Sequence, residues 1–344
     1  MKITNIFKKL TSATAAAALF MTVLPSMGSL ETAQAASAVS IDTAKTYQTI
    51  KGFGGINLPE WAGSDMTSEQ VATAFGNGDD QLGMSILRVY VSDDSNAWSK
   101  AVPTAKAATA YGATIFASPW NPPTQMRETF TRNGVANQRR LAKSSYGAYA
   151  KHLNSYIKYM KEQGIDIYSV SVQNEPDYGA EWTWWTADEC VDFIANYGKD
   201  VIAGTDAMLM SPETFQYNKE YYNKILNNAA ANANIGIFGT HFYGTQRSQM
   251  DFPALENDAR DVWMTEVYVP NSEANSQDRW PEAVQVAENI HNGFVVGNMN
   301  AYIWWFIRRN YSPMREDGTI SKRGYCMAQY SKYVRPGDIR IDAT

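Results

Sequence analysis

The sequence predicts an α/β fold, a (β/α)8 barrel, from three observations: short apolar runs that recur along the chain, helix start and stop signals between them, and polar or aromatic residues closing nearly every run. The eight runs are Ile50 to Ile56, Ile86 to Val91, Thr114 to Trp120, Ile167 to Gln173, Ala207 to Pro212, Ile235 to Phe242, Val262 to Val267 and Ala301 to Phe306. Between them, Thr67 with Gln70 and Thr186 with Glu189 fit the capping box, in which two side chains satisfy the orphan amides of a first helical turn. Tyr149, Leu153, Ile157 and Met160 form a helical stripe closed by Gly164. Pro281 marks another helix start, with Val284, Ala287, His291 and Phe294 following at helical spacing.

A barrel of this kind carries its chemistry at the carboxyl ends of its strands. The run ends read Gly54-Gly55-Ile56-Asn57, Arg88-Val89-Tyr90, Ser118-Pro119-Trp120-Asn121, Gln173-Asn174-Glu175-Pro176, Ser211-Pro212-Glu213, His241-Phe242-Tyr243, Thr265-Glu266-Val267-Tyr268 and Trp304-Trp305. Core packing gives no reason to gather such residues at one end of every strand. Glu175 closes the fourth run and Glu266 the seventh, so the two carboxyl groups face each other across the barrel mouth. That pair is the minimum equipment for glycoside hydrolysis: one carboxyl protonates the leaving oxygen, and the other attacks the anomeric carbon if the two stand about 5 to 5.5 Å apart. Asn174 can donate a hydrogen bond to a sugar hydroxyl, and Trp120, Tyr243 and Tyr268 offer rings for stacking. Glu213, at the end of the fifth run, is the rival carboxylate; Asp177 and Glu181 read as structural.

Composition narrows the class further. Net charge is -5 with no basic cluster, which argues against a nucleic-acid partner. The three histidines, His152, His241 and His291, are scattered, and the two cysteines, Cys190 and Cys326, have no metal spacing, so neither metal nor cofactor is expected and the cysteines read as buried free thiols. Ten Trp and twenty Tyr, many in polar or Gly/Pro-rich segments, suit a carbohydrate groove. The basic start MKITNIFKK, the apolar stretch after it and Ala33-Gln34-Ala35 read as an export signal over residues 1 to 35, which predicts a secreted protein with no membrane span once it is removed.

Ten ordered motifs, GFGGIN, ILRVYV, FASPWNPP, SVQNEPDY, EWTWW, THFYGTQ, WMTEVY, NSQDRWPEA, WWFIRRNYSPM and EDGTISKRGY, resemble glycoside hydrolase family 30 and its bacterial glucuronoxylanase branch, from about Ser40 to Ala343. The resemblance implies a retaining endo-1,4-β-xylanase, a monomer acting on plant cell-wall glucuronoxylan and guided by its (methyl)glucuronic acid branches. It puts the acid/base on Glu175 and the nucleophile on Glu266. Glucuronate recognition falls on Ser272, Trp305, Arg309 and Tyr311, with Ser276 the alternative serine in the same loop and Arg308 read as a structural ion-pair partner. The family also carries a β-sandwich side domain. Here the sequence supplies only residues 36 to 50 before a barrel of residues 51 to 335, and residues 336 to 344 after it, which implies a truncated side domain in a fragment or trimmed chain. Other family 30 activities, such as a β-1,6-glucanase, and a non-catalytic carbohydrate-binding barrel are the alternatives. Arg309 and Tyr311 argue against the first, and the two intact carboxylates against the second.

Overall fold

The computed structural model describes residues 39–344, so the expected export signal lies outside the described residues. Twelve strands are formed: β1 (Ile41–Thr49), β2 (Gly52–Ile56), β3 (Ile86–Tyr90), β4 (Thr114–Ser118), β5 (Arg127–Arg132), β6 (Val135–Leu141), β7 (Ile167–Ser171), β8 (Met208–Thr214), β9 (Ile237–His241), β10 (Asp261–Glu266), β11 (Ala301–Phe306) and β12 (Ile339–Ala343). Eight of them close a parallel barrel in the order β10, β11, β2, β3, β4, β7, β8, β9, and each expected run overlaps one barrel strand. The remaining strands make two small sheets, β1 with β12 and the hairpin β5 with β6.

The described chain falls into two units, residues 44–341 and, separately, residues 39–43 with Asp342–Thr344. In the smaller unit Ser40 and Thr344 exchange both backbone hydrogen bonds, the signature of an antiparallel pair. In the larger unit Gln48 donates to the carbonyls of Phe294 and Met299, and accepts from Arg340 at 2.7 Å.

Both expected capping boxes are present, on the helices Ser68–Phe75 and Ala187–Ile202. The helix Tyr146–Glu162 buries Tyr149, Leu153, Ile157 and Met160, and Gly164 follows it at φ 80, a conformation that costs glycine little. The helix after β10 departs from expectation. It begins at Val284 rather than Pro281, and buries Val286, Ile290, Gly293 and Phe294 while Val284 is exposed. Residues spaced four apart from Val286 share one face, and that face meets the barrel. Both cysteines are free, but Cys326 is only half-buried.

The barrel interior is layered by the two-residue period of its strands. Ile86, Phe116, Met210, Ile237, Trp263, Ala301 and Ile303 form one apolar cluster. Counting onward in steps of two along the same strand faces leads to Arg88, Ser118 and His241, so a polar layer lies directly on the apolar one. All three are fully buried.

Candidate active site

Three irregularities in the barrel aim side chains into this polar layer. Against β9, the register shifts between Met264 and Glu266 of β10 and between Pro212 and Thr214 of β8. Against β2 it shifts between Trp304 and Phe306 of β11. Each shift inserts one extra residue and reverses the in-out alternation beyond it. Glu266 and Glu213 owe their aim to these bulges, whereas Trp305 follows Ala301 and Ile303 inward by ordinary alternation. Glu213 sits at φ 51 and packs so closely on β9 that a Cβ at Gly239 would come 2.8 Å from its Cγ. Glu175 lies beyond the end of β7 in a turn at φ 46, its amide bonded to the Glu213 carbonyl at 3.0 Å.

Arg88 organises the layer. Its Nη1 donates to Glu266 Oε2, its Nη2 to Asn174 Oδ1 at 2.6 Å and Glu213 Oε1 at 3.2 Å, and its Nε to Ser118 Oγ at 3.1 Å. Since the guanidinium claims Asn174 Oδ1, the Asn174 amide nitrogen is left buried with no hydrogen-bond partner, a donor aimed away from Arg88. His241 Nδ1 lies 2.8 Å from Glu175 Oε1, and its Nε2 stands 3.8 Å from Glu213 and 3.9 Å from Glu266. Tyr243 donates to Glu266 Oε1 at 2.9 Å. Glu175 and Glu266 each bring a carboxylate oxygen within 4.8 Å of the other.

Two cations thus face three carboxyl groups, and the proton goes to one of them. Burial, then the neighbouring Glu266, raise Glu175 to about 7 against the opposing hydrogen bond from His241. For Glu213 burial works in the same upward sense, but Arg88 and His241 outweigh it and hold the carboxyl at about 2. Burial disfavours the His241 cation, yet Glu266, Glu175 and Glu213 raise it to about 9. The Tyr243 hydroxyl is pushed up by burial and by Glu266, so it remains a donor. Glu175 is thus the carboxyl raised toward neutrality, while Glu213, the rival candidate, is held low by Arg88 and His241. Among the described residues, Glu175, His241 and Glu266 are a trio whose ligand-type atoms cluster.

Aromatic rings line both sides of the carboxyl pair. On one side Phe215 stacks on Tyr243 at 5.1 Å, Tyr243 meets Tyr268 edge-on at 4.9 Å, and Tyr268 meets Tyr311 at 5.8 Å. On the other side Trp61 stacks on Trp182 at 5.2 Å and touches Tyr90, Trp120 and Trp305. Trp120, expected to contact substrate, is only 1% exposed, with Arg88 4.7 Å from its ring centre; it packs beneath the wall and has no free face. Trp305 and Trp182 are half-buried, and Trp61 is 37% exposed.

Arg309, after β11, lies over Phe306 at 4.2 Å, with Nη1 3.7 Å from Glu316. Arg308, expected to make the structural ion pair, instead donates to Ser64 Oγ at 2.8 Å. Ser272 is exposed on the loop after β10, whereas Ser276 is fully buried, so only Ser272 is open to a ligand. The two loops are clamped by Arg323, which is buried and donates 2.8 Å bonds to both the Asn271 and Tyr311 carbonyls.

Arg88, His241 and Arg323, which tie this site together, are not among the site residues expected from the sequence. For Arg88 a signal existed: a cation inside ILRVY must be paired if the run is buried. His241 likewise closes an apolar run. Nothing local marks Arg323, whose partners lie far off in sequence.

Residues 56–292 match the Glycosyl hydrolase family 30 TIM-barrel domain. The chain is 54% identical to Glucuronoxylanase XynC of Bacillus subtilis (strain 168) over 312 residues, 90% of this chain and 73% of that protein. It superposes on a GH30 endoxylanase from Clostridium papyrosolvens C71 with a TM-score of 0.80 at 38% identity, covering 90% of this chain and 78% of the other. A family 30 subfamily 8 xylanase from Clostridium acetobutylicum gives 0.76 at 32% identity over 89% and 77%. With the barrel closed and two carboxyl groups meeting at its mouth, likeness of this extent means that the chain belongs to glycosyl hydrolase family 30.

Proposed function

We propose that this chain is an endo-1,4-β-xylanase that cleaves glucuronoxylan with retention of configuration, directed by (methyl)glucuronic acid branches. The observation that carries the mechanism is the pairing of Glu175, raised to about 7, with Glu266, their oxygens within 4.8 Å. Such closeness leaves no room for water between carboxylate and sugar, which is what an inverting enzyme needs. In the first step Glu266 attacks the anomeric carbon, and Glu175 donates its proton to the departing glycosidic oxygen. In the second, Glu175 takes a proton from water as the water oxygen attacks the same carbon and the bond to Glu266 breaks. Esterification of Glu266 removes the negative charge that helps to raise Glu175, so its pKa falls when it must act as base. Arg88 and Tyr243 orient Glu266, and the free amide of Asn174 is available to a sugar hydroxyl.

The substrate assignment rests on the likeness to the Bacillus glucuronoxylanase together with Ser272, Trp305, Arg309 and Tyr311 on the two loops joined by Arg323. A planar guanidinium holds a uronate carboxylate through paired hydrogen bonds. Glu316 makes only a 3.7 Å contact with Arg309 and is half-exposed, so an incoming carboxylate can displace it. The same reading makes the chain an exported monomer, its side domain formed by the segments flanking the barrel. No helix among the described residues is long and apolar enough to cross a membrane. Digesting glucuronoxylan and unsubstituted xylan side by side, with products identified by mass and the new anomer by NMR, tests the whole reading. Inverted product or equal cleavage of both polymers refutes it.

A further inference from the structure

The helix Lys322–Ser331 follows the loop after β11, and its first turn grips that loop together with the loop after β10. Its N-cap Ser321 accepts from the Gly324 amide at 3.1 Å and donates to the Ser312 carbonyl, in the second loop, at 2.6 Å. The Lys322 amide donates to Asp278 at 2.9 Å and the Arg323 amide to the Gln277 carbonyl at 3.1 Å, both in the first loop. A Cβ on Gly324 would come 2.1 Å from the Pro313 carbonyl oxygen, so glycine lets the helix press closely on the second loop. Nearer the surface, Arg315 of the second loop holds Asp278 of the first through two hydrogen bonds, at 2.7 and 2.8 Å.

The Arg323 side chain is the part of this grip that stability does not explain. It is fully buried, yet its carboxylate contact, Glu282, stays 3.9 Å away, and its Nε has no hydrogen-bond partner. A buried cation without a close counter-ion costs folding energy that an apolar side chain of similar volume avoids. What the guanidinium does bond is loop. Its Nη1 donates to the Asn271 carbonyl and to the Tyr311 carbonyl, each at 2.8 Å, and its Nη2 reaches Asn271 Oδ1 at 3.3 Å. Asn271 directly precedes Ser272, and Tyr311 follows Arg309 by two residues. One nitrogen therefore sets the separation between the residues expected on either side of a branch.

We propose that Arg323 is the positioning residue of branch recognition, joining the two loops so that Ser272 stands fixed against Arg309 and Tyr311 before a uronate branch arrives. The role rests on the glucuronoxylan reading and deepens it, and Arg323 acts through the loops without touching substrate. Loops free to move apart would have to be ordered each time a branch binds, and a clamp already made in the free enzyme removes that cost. Lysine cannot take over, because its ammonium ends one bond short of Nη1 and lacks the planar fork.

The test uses R323K, which keeps the charge, and R323M, which removes the buried cation at similar volume, with melting temperature reporting folding. On glucuronoxylan KM should rise about threefold to tenfold with kcat unchanged, about what one hydrogen bond to the branch is worth. On unsubstituted xylan both variants should match the parent. Combined with Arg309→Ala, either substitution should add little, because the two act on the same contact, whereas a general loosening would add in full. Equal loss on both substrates, an unchanged KM on glucuronoxylan or full additivity with Arg309→Ala overturns the proposal. Loss of the fold in both variants does so too, since Arg323 would then be scaffold. Failure of the underlying reading looks different, because the unmodified enzyme would then not prefer glucuronoxylan at all.

Discussion

Replacing Glu213 by Gln removes the buried anion that Arg88 and His241 share, and the consequences can be worked out in size and sign. A carboxyl held at about 2 in the fold instead of 4.5 contributes about 3 kcal/mol to stability. Because its pKa is depressed, that contribution is complete above 4.5 and is lost as pH falls through about 2. Breaking a buried pair while leaving the partner costs about 3 to 5 kcal/mol, which agrees; the Gln carbonyl still accepts from Arg88, so the lower figure applies. The variant should melt several degrees below the parent at pH 7, with the gap closing as pH is lowered toward 2. Activity should shift as well as stability. Arg88 and His241 lose a counter-ion and draw harder on Glu175, so the alkaline limb of kcat/KM moves down by about one pH unit. His241 starts at about 9 and remains charged at pH 7 after losing one of three carboxylate neighbours. Thermal unfolding and a pH profile on glucuronoxylan are the measurements. Equal melting temperatures with superimposable profiles would show that Glu213 is not the anion balancing this cluster.

The other expectations concern catalysis and specificity. In the parent enzyme kcat/KM should fall as pH rises through about 7, because Glu175 must carry a proton to act as acid; a flat profile across that region contradicts the assignment. Glu175→Gln should lower kcat by about 100-fold to 10,000-fold on substrates with poor leaving groups, and Glu266→Gln should abolish turnover; ordinary activity in either refutes its role. At pH 8 Glu175→Gln should also melt above the parent, since a buried carboxyl raised from 4.5 to about 7 loses stability as pH climbs between those two values and has lost all of it above 7. Arg309→Ala should reduce activity on glucuronoxylan by about tenfold or more and hardly change it on unbranched xylan. Equal loss on both would make Arg309 part of the scaffold.

Much of the architecture was legible because it depends on local pattern. Apolar runs of strand length, capping boxes at Thr67 and Thr186, and the stripe from Tyr149 to Met160 are written in neighbouring residues, and all three are present in the fold. The hairpin was missed, although Asn133-Gly134 between Thr131 and Val135 is a recognised turn signal. The helix register after Pro281 was misjudged because a window of apolar residues fits two offsets, and only contact with the barrel chooses between them.

For the site the division is sharper. The sequence by itself determined that Glu175 and Glu266 stand at the ends of two barrel strands among aromatic and amide side chains, because strand position and residue type are local properties. The tertiary structure alone decided what those groups are. Arg88 meets Glu266 across 178 positions and Glu213 across 125, so neither the single proton left to Glu175 nor the counter-ion role of Glu213 could be read from any window of the chain. Bulges set by pairing with neighbouring strands turned Glu266 and Glu213 inward, and close packing buried Trp120 and Ser276 while leaving Trp305 half-buried and Ser272 exposed. Charge state and exposure depend on everything within a few ångströms, and in a closed barrel those neighbours come from every part of the sequence.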